Sequence, residues 1–125
     1  IEEPHLYNFW ASWCGPCIEG LPLLLAADQA ADSPFRVGFV NIWDDVYTYR
    51  AFLDEYLPEV TSPDSPDALL VFDPDGTVPE MLRLDFIPVS VLVDASGTVV
   101  LIQKGPINEE VLAFAGALLT NPSGG

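Results

Sequence analysis

Apolar and polar positions along this chain alternate between two periods, and the changes of period divide it into elements. Residues 5–11, His-Leu-Tyr-Asn-Phe-Trp-Ala, form a short aromatic-rich run and read as a buried strand. After the turn Ser12-Trp13 a helix is expected from about Cys14 to Ala31, with Ile18, Leu21, Leu24 and Leu25 at helical spacing. Pro16 lies near its first turn, where a missing N–H costs nothing, and Pro22 lies inside it, where a kink is expected. Asp32-Ser-Pro34 makes a turn into a second buried strand, Phe35 to Ile42. Strand, helix, strand of this kind predicts a right-handed parallel unit.

The second half is more broken. A helix is expected over Val46–Tyr56, with Tyr49, Phe52, Leu53 and Tyr56 on one face, and then a Pro/Ser/Asp loop from Pro58 to Pro66. Ala68–Phe72 reads as a short strand closed by the turn Asp73-Pro-Asp-Gly76, and residues 78–83 as a short helical piece. Pro88 opens the strand Val89–Val93, Asp94-Ala-Ser-Gly97 is a hairpin turn, and Thr98–Gln103 is the return strand. Gly105-Pro106 breaks it, and Asn108 caps a last helix, Glu109–Leu119, with acids in its first turn. The expected sheet has strands in the order 35–42, 5–11, 89–93, 98–103, the first pair parallel and 89–93 antiparallel to 5–11. Helices cover both faces, which makes the fold class α/β. This order brings the end of strand 5–11, which leads to Cys14, to the edge where Pro88 begins its neighbour.

The chain has 125 residues, half of them apolar, which is enough for one domain with one core. The apolar stretches are interrupted by Pro, Gly or acids, so none is long enough to span a bilayer. No signal-peptide pattern opens it. It begins at Ile1, almost directly on a strand, and is expected to be trimmed at the N-terminus, with any leader, anchor or upstream strand outside it. Residues 120–125 read as a tail without fold content. Nineteen Asp and Glu against four Lys and Arg give a formal charge of −15, which argues against nucleic acid and anionic membrane surfaces as partners.

The two cysteines, Cys14 and Cys17, are too few for a disulfide framework. With the single His5 they cannot make up the four ligands of a structural zinc site without carboxylates or a second chain. The motif Trp13-Cys14-Gly15-Pro16-Cys17 at a strand-to-helix junction points instead to redox chemistry. The thiolate is the nucleophile, and the unpaired N–H groups at a helix N-terminus favour it. Cys14 is the expected attacking sulfur. Cys17, one turn inward, is the resolving sulfur, with Gly15 and Pro16 as the tight link and Trp13 as an exposed flank. No metal or organic cofactor is expected beyond the Cys14–Cys17 disulfide itself. The only Met, Met81, is remote in sequence, against a copper-handling module. No Thr and Arg flank Cys14 as a peroxidase would need.

The run Asn8-Phe-Trp-Ala-Ser-Trp-Cys-Gly-Pro-Cys17 resembles the thioredoxin superfamily. Arg50-Ala-Phe-Leu-Asp-Glu-Tyr, Val71-Phe-Asp-Pro-Asp-Gly76 and Ile87-Pro-Val-Ser-Val-Leu-Val-Asp-Ala-Ser-Gly97 are similar, in order and spacing, to its TlpA/ResA-type branch of bacterial extracytoplasmic thiol–disulfide oxidoreductases. The resemblance covers about residues 5–119. It implies a thioredoxin fold and a cis Ile87–Pro88 bond facing Cys14. The Pro88 ring would lie over the disulfide and deter metal ligands, and the Ile87 backbone would pair with an extended substrate. It further implies protein thiol or disulfide substrates, among them apocytochrome c, and a membrane thiol carrier as electron donor. A location outside the cytoplasm follows from the same resemblance, and a monomer is expected. A general exchanger of another pathway is the nearest alternative, followed by a metal-binding or redox-inert module.

Two positions depart from the pattern. Ordinary thioredoxins carry a buried Asp at the position of Asn8, and Asn takes up no proton at neutral pH. The branch usually continues Cys-x-x-Glu-x-Pro, whereas here Cys17-Ile-Glu-Gly-Leu-Pro22 has Gly20 at the Glu position. Glu19, about 200° around the helix from Cys17, is expected to face solvent. His5 lies on the order of 20 Å from Cys14 along the strand and is set aside. Trp10, Phe9, Phe39, Leu92 and Val93 are expected in the core. Trp43-Asp44-Asp45 ends a strand on the Cys14 side and reads as a solvated loop, and Asp85 and Phe86 as either loop or groove residues.

Overall fold

A computed structural model describes residues 3–58 and 68–120. The elements are β1 (His5–Trp10), α1 (Gly15–Gln29), β2 (Arg36–Ile42), α2 (Val46–Tyr56), β3 (Leu69–Asp73), α3 (Thr77–Met81), β4 (Val89–Val93), β5 (Val99–Lys104) and α4 (Glu109–Thr120). Most of the Pro58–Pro66 loop and the tail from Asn121 lie outside the described residues.

The five strands form one mixed sheet in the order β3-β2-β1-β4-β5. β1 runs parallel to β2, from His5↔Arg36 to Trp10↔Asn41, and antiparallel to β4, from His5↔Val93 to Phe9↔Val89. These are the pairings expected from the sequence. β3 adds a place that the expected order left open: it runs parallel to β2 at the outer edge, from Gly38↔Leu69 to Ile42↔Asp73. β5 starts one residue later than expected, at Val99, and its pairing with β4 shifts register between Leu92 and Val93.

The topology distributes the helices. The crossovers β1–α1–β2 and β2–α2–β3 step the same way across the sheet, so right-handed connections put α1 and α2 on one face. There Leu21, Leu24 and Leu25 of α1 and Tyr49, Phe52 and Leu53 of α2 pack on Leu6, Trp10, Val37, Phe39 and Leu92, with Ile107 and Ala115 joining them. Trp10 anchors this layer: its ring lies 5.2 Å from that of Phe52 and 6.1 Å from that of Tyr49. Tyr56 does not join the buried face of α2. It is exposed at the last residue of α2, its ring tilted 32° to that of Phe52 at 4.8 Å.

The return from β3 to β4 crosses the other face and carries α3 with it. Phe9, Val40, Ile42, Val89 and Val91 face this side and meet Leu84. α3 spans only five residues, fewer than a sheet face needs for cover. An apolar cavity of about 290 Å³ remains there, bordered by Tyr7, Phe9, Val78, Leu82, Val91 and Val99.

Candidate active site

The site is built where β1 feeds α1. The N–H of Cys14 donates to the Ala11 carbonyl (3.1 Å), closing the turn, and the Ile18 N–H donates to the Cys14 carbonyl (3.1 Å), starting the helix. Cys14 is the N-cap residue, in extended conformation, and its Sγ accepts the Cys17 N–H at 3.3 Å. The free N–H groups and positive end of α1 therefore point at this sulfur, which is the environment that favours a thiolate. Pro16 stands in the first turn, as its ring requires. Cys14 and Cys17 are joined in a disulfide with Cα atoms 5.3 Å apart. Cys14 is 7% exposed and Cys17 2%, so the first sulfur is nearer to a partner and the second is shielded. Gly15 and Pro16 lie open, and Trp13 is 61% exposed beside them.

The segment after β2 is not the solvated loop expected from its two acids. Asp44 is buried. Its carboxylate accepts the Ser12 N–H (2.8 Å), the Ser12 hydroxyl (2.8 Å) and the Asn41 side-chain amide (2.9 Å). The physical reason is the parallel pairing of β1 and β2, which ends both strands at one edge and sets Asp44 under the turn leading to Cys14. The preceding residue, Trp43, has φ 58°, its N–H donates to the Pro74 carbonyl (3.1 Å), and its carbonyl accepts the Trp13 indole N–H (3.2 Å). Asp45 behaves as expected of an exposed acid. It caps α2 through the Thr48 N–H and hydroxyl, which hold its carboxyl below the usual range.

The Ile87–Pro88 peptide is cis. Ile87 packs against the cluster that contains both cysteines, Pro88 is buried, and Asp85 and Phe86 stand exposed before them. On β1, Asn8 is 2% exposed, and its amide donates to the Ser90 hydroxyl at 2.9 Å. Its Oδ1 has no partner among the described residues. Glu19 is exposed and Gly20 is buried, a Cβ on Gly20 meeting only the Ile107 Cβ at 4.0 Å. His5 begins β1, at the far end from the junction, and stacks on Tyr7. Among the described residues no group of three His, Cys, Asp or Glu could hold a metal ion.

A disulfide at the N-cap of a helix, fed by the central strand of a mixed sheet and accompanied by a cis-proline strand, defines a thioredoxin-fold thiol–disulfide oxidoreductase domain. The Redoxin family pattern matches residues 2–118, and the chain belongs to that family, in its TlpA/ResA-type branch. The thiol:disulfide interchange protein HelX of Rhodobacter capsulatus is 30% identical over 107 residues, covering 86% of this chain and 55% of HelX. The chain thus spans about half the length of the curated relatives it matches, DsbE-2 of Pasteurella multocida being covered over 53%. Among solved structures, the N-terminal domain of PilB from Neisseria gonorrhoeae superposes with a TM-score of 0.68 at 30% identity, covering 97% of this chain and 78% of that one. A secreted disulfide oxidoreductase of Mycobacterium tuberculosis shares the fold, with a TM-score of 0.72 at 21% identity over 94% of this chain and 83% of that one.

Proposed function

We propose that Cys14 and Cys17 reduce protein disulfides, the chain acting as one domain outside the cytoplasm. The observation that carries this reading is the capped sulfur: Cys14 Sγ receives a helix N–H at the start of α1, and Cys14 is slightly more exposed than Cys17, one turn further along. In the reduced domain the Cys14 thiolate attacks one sulfur of a substrate disulfide, and the other substrate sulfur leaves as a thiolate. Cys17 then loses its proton and attacks Cys14 Sγ, the mixed disulfide breaks, and the second substrate thiolate departs. Two electrons pass to the substrate, and the domain ends in the Cys14–Cys17 disulfide.

Gly15 and Pro16 keep the link tight and Trp13 flanks the groove. The Ile87 backbone, ahead of Pro88, pairs with the extended substrate. The secreted character of a structural neighbour supports an extracytoplasmic site. Exported thiols such as apocytochrome c are the proposed substrates, and a membrane thiol carrier the donor that restores the dithiol. Equilibration with glutathione tests the direction. A potential near roughly −270 mV fits a reductant, and one near roughly −120 mV would make the domain an oxidant instead. Cys17→Ser is expected to trap the mixed disulfide with an apocytochrome c peptide, and Cys14→Ser to trap none.

A further inference from the structure

Asp44 places a carboxylate inside the turn that carries the reactive pair. It is 7% exposed, and the donors that hold it come from Ser12 and from Asn41, itself fully buried. Ser12 precedes Cys14 by two residues, a chain distance of at most about 7 Å. We infer that Asp44 is a positioning residue that also sets the redox poise of the pair: its charge keeps the Cys14 thiol less acidic and so favours the disulfide. An anion close by disfavours a second anion, and burial weakens the screening that water would supply. The N-terminus of α1 pulls the other way. A couple whose dithiol form gains less from ionisation is the more reducing one, the reverse of a strong oxidant with a stabilised thiolate.

The other charged groups on the elements around Cys14 leave Asp44 in control. Glu19 on α1, Asp45 beside Asp44, and Arg83 and Asp85 on the segment before β4 are all exposed, where salt and water screen them, and Asp28, buried at the far end of α1, is paired with Arg36. Asp44 is the buried one that bonds the turn leading to Cys14.

The inference rests on Cys14–Cys17 being the working redox pair, which insulin reduction by the parent protein tests separately. Its own test is Asp44→Asn, which keeps size and one acceptor but removes the charge. The pH dependence of iodoacetamide alkylation is expected to show the Cys14 pKa lowered by about one unit. The equilibrium with glutathione, read above that pKa, is expected to move about tenfold toward the dithiol, about 30 mV more oxidising. Ser12→Ala removes one hydrogen bond and keeps the charge, and is expected to move both readouts less than twofold. A support role without electrostatic effect would make the two variants alike. The inference is overturned if folded Asp44→Asn keeps the parent pKa and equilibrium, or if Ser12→Ala shifts them as far. Asp44→Ser replaces Asp44→Asn under the same criteria should the latter not fold.

Discussion

The indole of Trp13 lies parallel to that of Trp43, their planes 14° apart and their centroids 6.4 Å apart, and Trp13 Nε1 donates to the carbonyl of Trp43. Trp13 adjoins Cys14 in sequence, whereas Trp43 reaches it only through the fold. Trp43 holds a left-handed backbone at φ 58°, a conformation that costs a bulky residue on the order of 1 kcal/mol or more. Its N–H is tied to Pro74, and its indole lies where a side chain on Gly76, itself at φ 68°, would overlap it. The chain thus spends local strain to build a two-ring shelf beside the reactive sulfur.

That shelf is expected to serve large substrates. Trp43→Ala removes the second ring while leaving the disulfide and its helix in place. The kcat/KM for insulin should fall about two- to tenfold, the equivalent of about 0.5–1.5 kcal/mol for a lost aromatic contact. Reduction of a small disulfide such as 5,5′-dithiobis(2-nitrobenzoate) should not change. Equal losses on both substrates would show that Trp43 acts on the sulfur chemistry rather than on recognition.

The elements that place the pair are legible from local pattern. The aromatic run before Cys14, the helical spacing of Leu21, Leu24 and Leu25, and the hairpin signal Asp94-Ala-Ser-Gly97 each carry their own physical cause. What the sequence concealed depends on long-range pairing. Leu69–Asp73 looks like any short strand, and only its partnership with β2 places it at the edge. Two acids after a strand read as solvated. Asp44 becomes a buried ligand of Ser12 only because β1 and β2 end together, a consequence of parallel register that the expected order already contained. Tyr56 shows the converse: it keeps helical spacing with Tyr49, Phe52 and Leu53 but stays exposed where the core stops.

That neither Asn8 nor Gly20 carries a carboxyl gives a second expectation. Asn8 is committed to Ser90 through its amide, and Gly20 stands three residues after Cys17, on the same side of α1. A side chain begun at Gly20 meets only ordinary contact with Ile107, so Gly20→Glu can seat a carboxyl near Cys17. Burial raises such a carboxyl toward neutrality, where it can take the thiol proton. Quenched-flow decay of the mixed disulfide near pH 7 should be faster by about tenfold or more, within the reach of general-base catalysis. Identical decay in variant and parent would mean that proton removal from Cys17 does not limit resolution.

The hairpin that carries β4 away from the site gives a pH dependence of defined sign. Asp94 Oδ1 accepts the Ser96 hydroxyl (2.6 Å), the Ser96 N–H (2.9 Å) and the Thr98 N–H (3.0 Å). The hydrogen bond from the Ser96 side chain, followed by the Thr98 N–H, holds the Asp94 carboxyl below its ordinary value of 3.8. A carboxyl depressed in the folded state adds stability above its unfolded pKa and loses it as the pH falls through the lower folded value. Asp94→Asn keeps an acceptor but has no proton to gain. In urea unfolding it should therefore be less stable than the parent at pH 6, and the gap should narrow from about pH 4 downward. Comparing variant with parent cancels the protonation of the other carboxylates, which would otherwise dominate in a chain with nineteen acids. A gap that stays constant down to pH 2 would show that the turn is held by Asp94's shape and not by its charge.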